Sequence, residues 1–339
     1  MKKILVGLCV AIVLFAVIAG VLVNRWTDTP FGKLDTKAAV FLKLFEMTAG
    51  DKTIGEVPVE ELRAWYNGQT KSAGIEVESV EDRDIPGPRG RIPIRIYGAE
   101  GTGKRPVIVY YHGGGWAIGN IDTHDNVTRY LANASGGIVV SVDYGLAPEN
   151  PFPAAVDDAY AALEWVSENA ESLGGDPSRI AVAGDSAGGN LSAVVSLRAR
   201  DRNGPKILCQ GLIYPATNLS ALDTQSHKDF SEGFFLTNQA LEWFRSQYVP
   251  KPAVRTDPYV SPLLAKDLRN LPPAVVITAQ FDPLRDEGEA YAEKLRQAGV
   301  PVELVRYDGM LHGFISFVGL MDQAAEALDL IAARVKLAD

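Results

Sequence analysis

A serine stands between two glycines in the segment Gly184-Asp185-Ser186-Ala187-Gly188. Residues 180–183 before it are apolar, and the residues after it favour a helix. The pattern predicts a strand, a sharp turn and a helix, with the Ser186 hydroxyl lifted clear of the sheet. Glycine on both sides would let strand and helix pass close together. The pentapeptide alone is equally compatible with an ordinary Gly/Ser loop. Whether Ser186 is a nucleophile therefore depends on finding the groups that would activate it elsewhere in the chain.

His312 is the candidate base among the four histidines of the chain. It follows the apolar run 302–305, in the sequence Asp308-Gly309-Met310-Leu311-His312-Gly313-Phe314. His124 and His227 lie in polar stretches that we interpret as loops, and His112 precedes a run of glycines. A serine hydroxyl reacts only after a base takes its proton, and a histidine after a late strand is placed to do so.

Asp282 is the candidate acid that orients this base. It follows the apolar run 274–279 by a few residues, which gives the chain order serine, acid, histidine expected of a triad on such a sheet. Asp286 is the nearest competitor, and we interpret it as a residue of the start of the next helix, where negative charge is favourable.

Three consecutive glycines, Gly113, Gly114 and Gly115, follow the apolar run 107–111. Without Cβ atoms, their N–H groups can approach a substrate and donate to the oxyanion that forms when a carbonyl is attacked. Ala187, next to the serine, offers a further N–H group. A Gly triplet alone is more often a flexible loop, but together with Ser186, Asp282 and His312 it predicts a serine hydrolase.

These motifs resemble the bacterial hormone-sensitive-lipase family (family IV) of carboxylesterases, over roughly residues 112–314. The resemblance implies the α/β-hydrolase fold, no cofactor, and six site residues: Ser186 as nucleophile, Asp282 as acid in Asp-Pro-Leu, His312 as base in His-Gly-Phe, and Gly113, Gly114 and Ala187 as oxyanion donors. Residues 143–149 resemble the family's Asp-Tyr-Arg-Leu-Ala-Pro-Glu but carry Gly145 in place of the arginine. The ion pairs of that arginine are therefore not predicted for this chain.

The remaining pattern predicts an α/β fold with a mostly parallel central sheet flanked by helices. Six near-continuous apolar runs are typical of strands covered on both faces: residues 107–111, 138–142, 180–183, 207–213, 274–279 and 302–305. Residues 75–80 and 92–97 alternate apolar and polar residues, as half-buried strands do, around a turn at Pro86 to Gly90. Helical spacing marks residues 154–169, 187–200, 288–298 and 322–336.

Two further segments predict a helical cap over the site. Residues 31–73 carry two helical patterns ahead of the catalytic domain at 74–339, and residues 218–252 form an aromatic-rich insertion in which we expect Phe234 and Phe235 to be helical too. The family resemblance implies that both segments cover the active site. We expect four aromatic residues to bind substrate: Trp116, Trp243, Phe244 and Tyr248. Bulky rings around a small pocket predict short acyl chains, of up to about eight carbons.

Composition limits the partners. The 339 residues are 47% hydrophobic and 22% charged, as in a globular core, and the net charge is −9. Nucleic acid is not an expected partner, because no cluster of Lys and Arg is present to bind phosphates. The two cysteines, Cys9 and Cys209, predict neither a disulfide framework nor a metal site. The expected partner is a small ester, with a homodimer as a further expectation.

Residues 4–23 form an uncharged stretch behind Lys2 and Lys3. About 20 apolar residues span a bilayer as a helix, so the stretch predicts a membrane anchor with the catalytic domain on the extracytoplasmic, periplasmic side. A signal peptide cleaved near Gly20, giving a secreted enzyme, is the alternative.

Ester hydrolysis is the predicted activity, because a triad, an elbow and an oxyanion loop occur together. An amidase, formamidase or lactonase would use the same parts, since acyl-transfer chemistry does not identify the leaving group. A non-catalytic ligand-binding relative would be expected to lack a triad member, and a membrane-associated scaffold would have no use for the elbow.

Overall fold

The computed structural model describes residues 23–49, 57–69, 74–98 and 104–336, together with residues 20 and 54. Two short strands, β1 (Asp28–Thr29) and β2 (Gly32–Lys33), pair with each other ahead of the main sheet. The main sheet has eight strands: β3 (Ser79–Gly87), β4 (Gly90–Gly98), β5 (Arg105–Tyr111), β6 (Ile138–Val142), β7 (Gly175–Asp185), β8 (Gln210–Ile213), β9 (Ala274–Phe281) and β10 (Val302–Leu311).

The main sheet is mostly parallel, as predicted. Its strands lie side by side in the order β10-β9-β8-β7-β5-β6-β4-β3, and only β4 runs in the opposite direction, antiparallel to both β6 and β3. The five central apolar strands β5 to β9 are buried on both faces, which explains their uninterrupted hydrophobic sequences. The carboxyl ends of the parallel strands therefore meet along one edge of the sheet, where the candidate site residues lie.

Helices cover both faces of the sheet. Their bounds are α1 (Thr36–Ala49), α2 (Val59–Gln69), α3 (Asp125–Ser135), α4 (Ala154–Asn169), α5 (Ala187–Asp201), α6 (Gln225–Asp229), α7 (Asn238–Tyr248), α8 (Arg285–Gln297) and α9 (Asp322–Lys336). The predictions for α4 and α9 are confirmed residue for residue. Helix α3 was not predicted; Val127, Leu131 and Ala132 form its buried side.

Several predicted boundaries are wrong. Strand β7 begins at Gly175, not at residue 180, and β10 continues to Leu311, not to residue 305. Strand β3 begins at Ser79, not at residue 75, because Arg129 and Asn133 of α3 donate side-chain hydrogen bonds to the carbonyls of Ile75 and Glu76. Strand β8 is confined to Gln210–Ile213, and α8 begins at Arg285, three residues before the predicted start.

The insertion between β8 and β9 contains α6 and α7, but its aromatic residues are not all helical. Phe234 and Phe235 lie in a bend between the two helices, so the expectation that they belong to a helix is wrong. Phe235 has a φ of 72° and follows Gly233 with a φ of 79°. Such left-handed backbone breaks a helix.

The predicted anchor at residues 4–23 lies outside the described residues, apart from Gly20 and Val23. Within the part of the chain that the structure describes, no helix is both long and apolar enough to cross a bilayer.

Candidate active site

Ser186 sits at the turn between β7 and α5, and the predicted strand, turn and helix are confirmed. Its backbone has φ 55° and ψ −115°, a strained conformation for a residue with a side chain. A Cβ on Gly184 or Gly188 would overlap the carbonyl of Tyr111 on the neighbouring strand. Glycine is therefore required at both positions, and the half-buried Ser186 side chain is presented at the strand ends.

Ser186, His312 and Asp282 meet although they lie far apart in the chain. The Ser186 Oγ is 2.9 Å from the His312 Nε2, and the His312 Nδ1 is 2.8 Å from the Asp282 Oδ2. A carboxylate accepts hydrogen bonds, so the Nδ1 carries the proton and the Nε2 is free to accept one from the serine. The other oxygen of Asp282 accepts the N–H of Leu284 at 2.8 Å, which fixes the carboxylate.

Asp286 makes no contact with this chain of hydrogen bonds. It lies in the first turn of α8, as interpreted from the sequence, and it accepts the backbone N–H of Ser226 at 2.7 Å. The carboxylate that faces His312 is therefore that of Asp282, and Asp286 joins α6 to α8.

The glycine loop faces two directions. The N–H of Gly113 points inward and donates to the Asp185 Oδ1 at 2.9 Å, with the His124 Nε2 at 3.3 Å. The expectation that Gly113 is an oxyanion donor is therefore wrong, because its only N–H is already bound to a buried carboxylate. Gly114 and Gly115 line the cavity beside Ser186, and their N–H groups have no acceptor among the described residues.

Asp185 is the buried centre that holds this loop, and its role was not predicted. It also accepts the Tyr110 hydroxyl at 2.7 Å. Burial by itself raises the pKa of Asp185, but nearby His124 and the hydrogen bonds from His124 and Tyr110 outweigh it and lower the pKa below its ordinary value. The sequence contains one signal for this role: a charged residue, Asp185, stands next to Ser186 at the end of an apolar strand.

His112 supports the loop from the other side. Its Nδ1 lies 2.8 Å from the Gly113 carbonyl, its ring stacks on Tyr144 at 4.3 Å, and the side chain is fully buried. Burial lowers the pKa of His112 to about 3, so the ring is neutral at physiological pH. His124 and His227 are buried as well. His124 ends a short 3₁₀-helix and His227 lies in α6, which corrects their interpretation as loop residues.

Glu287 is a buried acid at the base of the cavity. Its Oε1 accepts the N–H groups of Thr217 and Asn218 at 2.6 and 3.1 Å, and its Oε2 lies 3.6 Å from the Nε2 of His227. Burial raises the pKa of Glu287 to about 8 and lowers that of His227. Glu287 thus fixes the loop that leaves β8.

The cavity at the site has a volume of about 690 Å³ and is mostly apolar. Trp116 and Phe244 line it, as expected. Trp243 and Tyr248 do not, and that part of the prediction is wrong. Tyr248 is fully buried and stacks beneath Trp116 at 4.4 Å, while Trp243 packs edge-on against Phe244. Both support residues that face the cavity.

Arg63 joins helix α2 to the site. Its guanidinium donates to the carbonyls of Ala117 and Ala147 at 2.8 and 2.9 Å and forms a two-pronged ion pair with Glu149. The upstream helices are thereby attached to the loop that carries the glycines.

Gly145, which departs from the family pattern, lies beside the buried carboxylate of Asp158. The Gly145 N–H donates to that carboxylate at 2.9 Å, and Arg89 from the turn between β3 and β4 donates to it at 2.5 Å. Arg89 thus provides the positive charge at this position. Among the described residues, no group of three His, Cys, Asp or Glu side chains is placed to hold a metal ion.

Comparison with known proteins gives a consistent result. Residues 108–316 match a family model of the alpha/beta hydrolase fold. The chain is 48% identical to the carboxylesterase NlhH of Mycobacterium tuberculosis over 289 residues, which is 84% of each protein. It is also 48% identical to the carboxylic ester hydrolase LipN of the same organism, over 75% of this chain and 69% of that protein.

Solved structures agree. The chain is similar to an esterase from the archaeon Pyrobaculum calidifontis, with a TM-score of 0.84 and 46% identity over 88% of this chain and 97% of that one. A thermostable esterase of Pseudomonas putida has a TM-score of 0.86 and 37% identity, over 92% of this chain and 98% of that one. With this fold, these motifs and these relatives, the chain belongs to the hormone-sensitive-lipase family and is a carboxylesterase of the α/β-hydrolase fold.

Proposed function

We propose that Ser186, His312 and Asp282 hydrolyse carboxylic esters through an acyl-enzyme. His312 takes the proton of Ser186 as the Oγ attacks the ester carbonyl, and then gives it to the departing alcohol. Asp282 holds the ring and stabilises its charged form. A water molecule, deprotonated by the same histidine, then releases the acid. The continuous hydrogen bonds of 2.9 and 2.8 Å from serine to aspartate are the observation that carries this proposal.

The oxyanion donors we propose are the N–H groups of Gly114, Gly115 and Ala187. All three amides are free of acceptors among the described residues, and Ala187 begins helix α5, whose positive end favours an anion. The expectation from the sequence was Gly113, Gly114 and Ala187, so the proposal assigns the amide of Gly115 in place of that of Gly113. The rigid attachment of Gly113 to Asp185 supports this assignment, because it fixes the direction of the following amides.

Replacement of the nucleophile tests the mechanism. Ser186→Ala should lower turnover of p-nitrophenyl acetate by at least a thousandfold, on the order of other triad removals, with an unchanged melting temperature. Thr217→Ala, which alters a buried hydroxyl outside the triad, is the matched control for general damage. A Ser186→Ala protein that retained a tenth of wild-type turnover would contradict the mechanism. Lactones and amides in the same assay would show whether esters are preferred.

We also propose a preference for short acyl chains, of up to about eight carbons. The cavity of about 690 Å³ must hold both halves of the ester, and the Phe244 ring closes it directly over Gly115. Phe244→Ala should shift the optimum of a p-nitrophenyl ester series toward longer acyl chains. Trp243→Ala, which removes a ring outside the cavity, should shift it less. An optimum at long-chain triglycerides in the wild type would refute the preference.

For the location of the enzyme, we propose that residues 4–23 anchor it in the membrane with the catalytic domain outside the cytoplasm. The support is the uncharged stretch behind Lys2 and Lys3. The full chain should resist extraction from membranes by alkaline carbonate, and protease added to intact spheroplasts should degrade the domain. A mature N-terminus near Gly20 would instead indicate a cleaved signal and a free enzyme.

A further inference from the structure

Phe235 occupies the tip of a strained turn. The N–H of Leu236 donates to the carbonyl of Phe234 at 3.0 Å, which closes a three-residue turn around Phe235 at φ 72°. A turn of this kind with positive φ is rare and costs energy for a residue with a bulky side chain. Local sequence preference therefore does not explain why an aromatic residue occupies this position. The explanation lies in the contacts of the Phe235 ring.

The ring of Phe235 reaches the cavity beside the base. It lines the cavity with His312, and its Cε1 would lie 3.3 Å from a Cβ built on Gly313, the residue that follows the base. It also makes edge-to-face contacts with Phe41 and Phe45 of helix α1, at 5.4 and 4.9 Å between ring centres. The strained turn thus places one ring between the catalytic histidine and the first helix.

Further rings extend this contact. Phe41 packs against Phe317 at 4.5 Å, and Phe45 packs against Trp65 at 5.9 Å. All five rings line the same cavity, and we call them the aromatic wall: Phe41, Phe45, Trp65, Phe235 and Phe317. The wall carries no charged group of its own, and Phe235 is the member that lies against Gly313.

Reaction geometry tells which half of the ester meets this wall. In the tetrahedral intermediate the oxyanion points to the amides of Gly114, Gly115 and Ala187, while the alcohol oxygen must come within hydrogen-bond reach of the His312 Nε2 to receive its proton. The alcohol group therefore leaves on the side of His312 and Gly313. Phe244 lies over Gly115, at the proposed oxyanion donors.

We propose that Phe235 determines the size of the alcohol half of the substrate, and that the aromatic wall selects esters of neutral aromatic alcohols. This proposal rests on the proposed function, because it needs His312 as the proton donor to the alcohol. The strain at Phe235 is retained because a ring at that position closes the alcohol side of the cavity.

Two ester series separate the halves of the substrate. Acetates of ethanol, benzyl alcohol and 2-naphthylmethanol vary the alcohol, and p-nitrophenyl esters of two to eight carbons vary the acyl chain. Wild type should prefer benzyl over ethyl acetate. Phe235→Ala should raise the ratio of kcat/KM for 2-naphthylmethyl over benzyl acetate by about tenfold, a typical effect of reshaping an apolar pocket, and should change acyl-chain ratios less than about twofold.

Phe234→Ala is the matched control, because it removes a neighbouring ring that stacks on Phe281 and does not line the cavity. Phe235→Gly removes the ring and also relieves the strain, whereas Phe235→Ala keeps the strain. Equal shifts in both variants support the ring as the determinant. If Phe235→Ala fails to fold, Phe235→Leu tests the same ratio with a smaller change in volume.

Three results would overturn the proposal: a shift in the acyl series in place of the alcohol series, an equal shift in Phe234→Ala, or unchanged ratios in all Phe235 variants. In each case Ser186→Ala distinguishes the failures. If that variant is inactive, only the role of Phe235 is refuted; if it stays active, the proposed mechanism itself fails.

Discussion

At the scale of single residues, the four histidines are all buried and differ in what their second ring nitrogen faces. His312 has one nitrogen bound to Asp282 and the other at the cavity, beside Ser186. His112, His124 and His227 are enclosed by protein, and each has a nitrogen bonded to a neighbouring residue. The same side chain can therefore serve either chemistry or stability, depending on what its second nitrogen faces.

Two histidine variants should fail in different ways. His312→Ala should lower turnover by about three orders of magnitude or more while the melting temperature stays near that of wild type. His124→Ala should lower the melting temperature by several degrees, because it removes a buried ring whose Nε2 lies 3.3 Å from the Asp185 Oδ1 and leaves a cavity in its place. Thermal unfolding and ester turnover measured on both proteins check this. If His124→Ala lost its turnover and His312→Ala kept it, the base would be His124.

Glu287 should make stability depend on pH. Its pKa is about 8 in the folded protein and 4.5 as an ordinary glutamate, because burial penalises the charge and nearby Asp282 adds to it, against hydrogen bonds from Thr217 and Asn218 and the charge of Arg245. Between about pH 4.5 and pH 8, Glu287 therefore keeps a proton in the folded protein that it has lost in the unfolded chain. This contribution to stability is complete below about pH 4.5 and is lost as pH rises toward 8, by at most about 1.4 kcal/mol per pH unit.

Glu287→Gln should remove this dependence, because an amide oxygen can still accept both backbone hydrogen bonds and carries no charge. We expect the variant to gain melting temperature relative to wild type as pH rises from 5 to 8, a comparison made by thermal unfolding across roughly that window. Glu289→Gln is the control. Glu289 lies on the same helix as Glu287, and it pairs with Arg306 of β10. A constant difference between variant and wild type at all pH values would exclude Glu287 as the source.

At the scale of elements, the strands could be predicted better than the loops between them. A buried parallel strand has an uninterrupted apolar sequence, and β6 was therefore located residue for residue. The start of β3 could not be, because side chains of Arg129 and Asn133, fifty residues later in the chain, take the carbonyls that a strand would use. Boundaries of this kind depend on tertiary contacts that no local pattern contains.

In the site, too, some residues could be predicted from local sequence patterns, and others are determined by tertiary contacts. Serine, acid and histidine could each be identified because each follows the end of a strand, so chain order alone brings them to one edge. Which of three consecutive glycine amides faces the substrate was not predictable, since Asp185 decides it by binding Gly113. Phe235 was missed because a bulky residue with positive φ contradicts every local preference, and only its ring contacts explain it.

Arg63 makes helix α2 part of the active-site structure. Arg63→Lys should raise KM and lower the melting temperature, because a single ammonium cannot bond both carbonyls and the Glu149 carboxylate as a guanidinium does. Arg91→Lys alters an exposed arginine paired with Asp84 and should leave both quantities unchanged. Steady-state kinetics and thermal unfolding provide the comparison, and equal behaviour of the two variants would show that α2 is not held by Arg63.

At the scale of the whole molecule, the described domain should fold without the apolar N-terminus. A truncated chain that begins at Trp26 retains β1, β2, both upstream helices and every proposed site residue. We expect it to remain in solution after ultracentrifugation and to turn over p-nitrophenyl acetate within about twofold of the full chain in detergent. Loss of activity in the truncated chain would mean that residues 1–25 support the fold. A homodimer stays a prediction, which sedimentation of the same protein would test.

The distance along the chain between the catalytic groups affects how the enzyme is made. Ser186 and His312 are 126 residues apart, and β10, which delivers the histidine, pairs with β9 alone at the border of the sheet. The ribosome therefore synthesises the segment that carries Ser186 well before the segment that carries His312. With His312 as the proposed base, we expect ester hydrolysis to begin only after β10 has left the ribosome and docked beside β9, because a nascent chain that already contains Ser186 has no base to activate it.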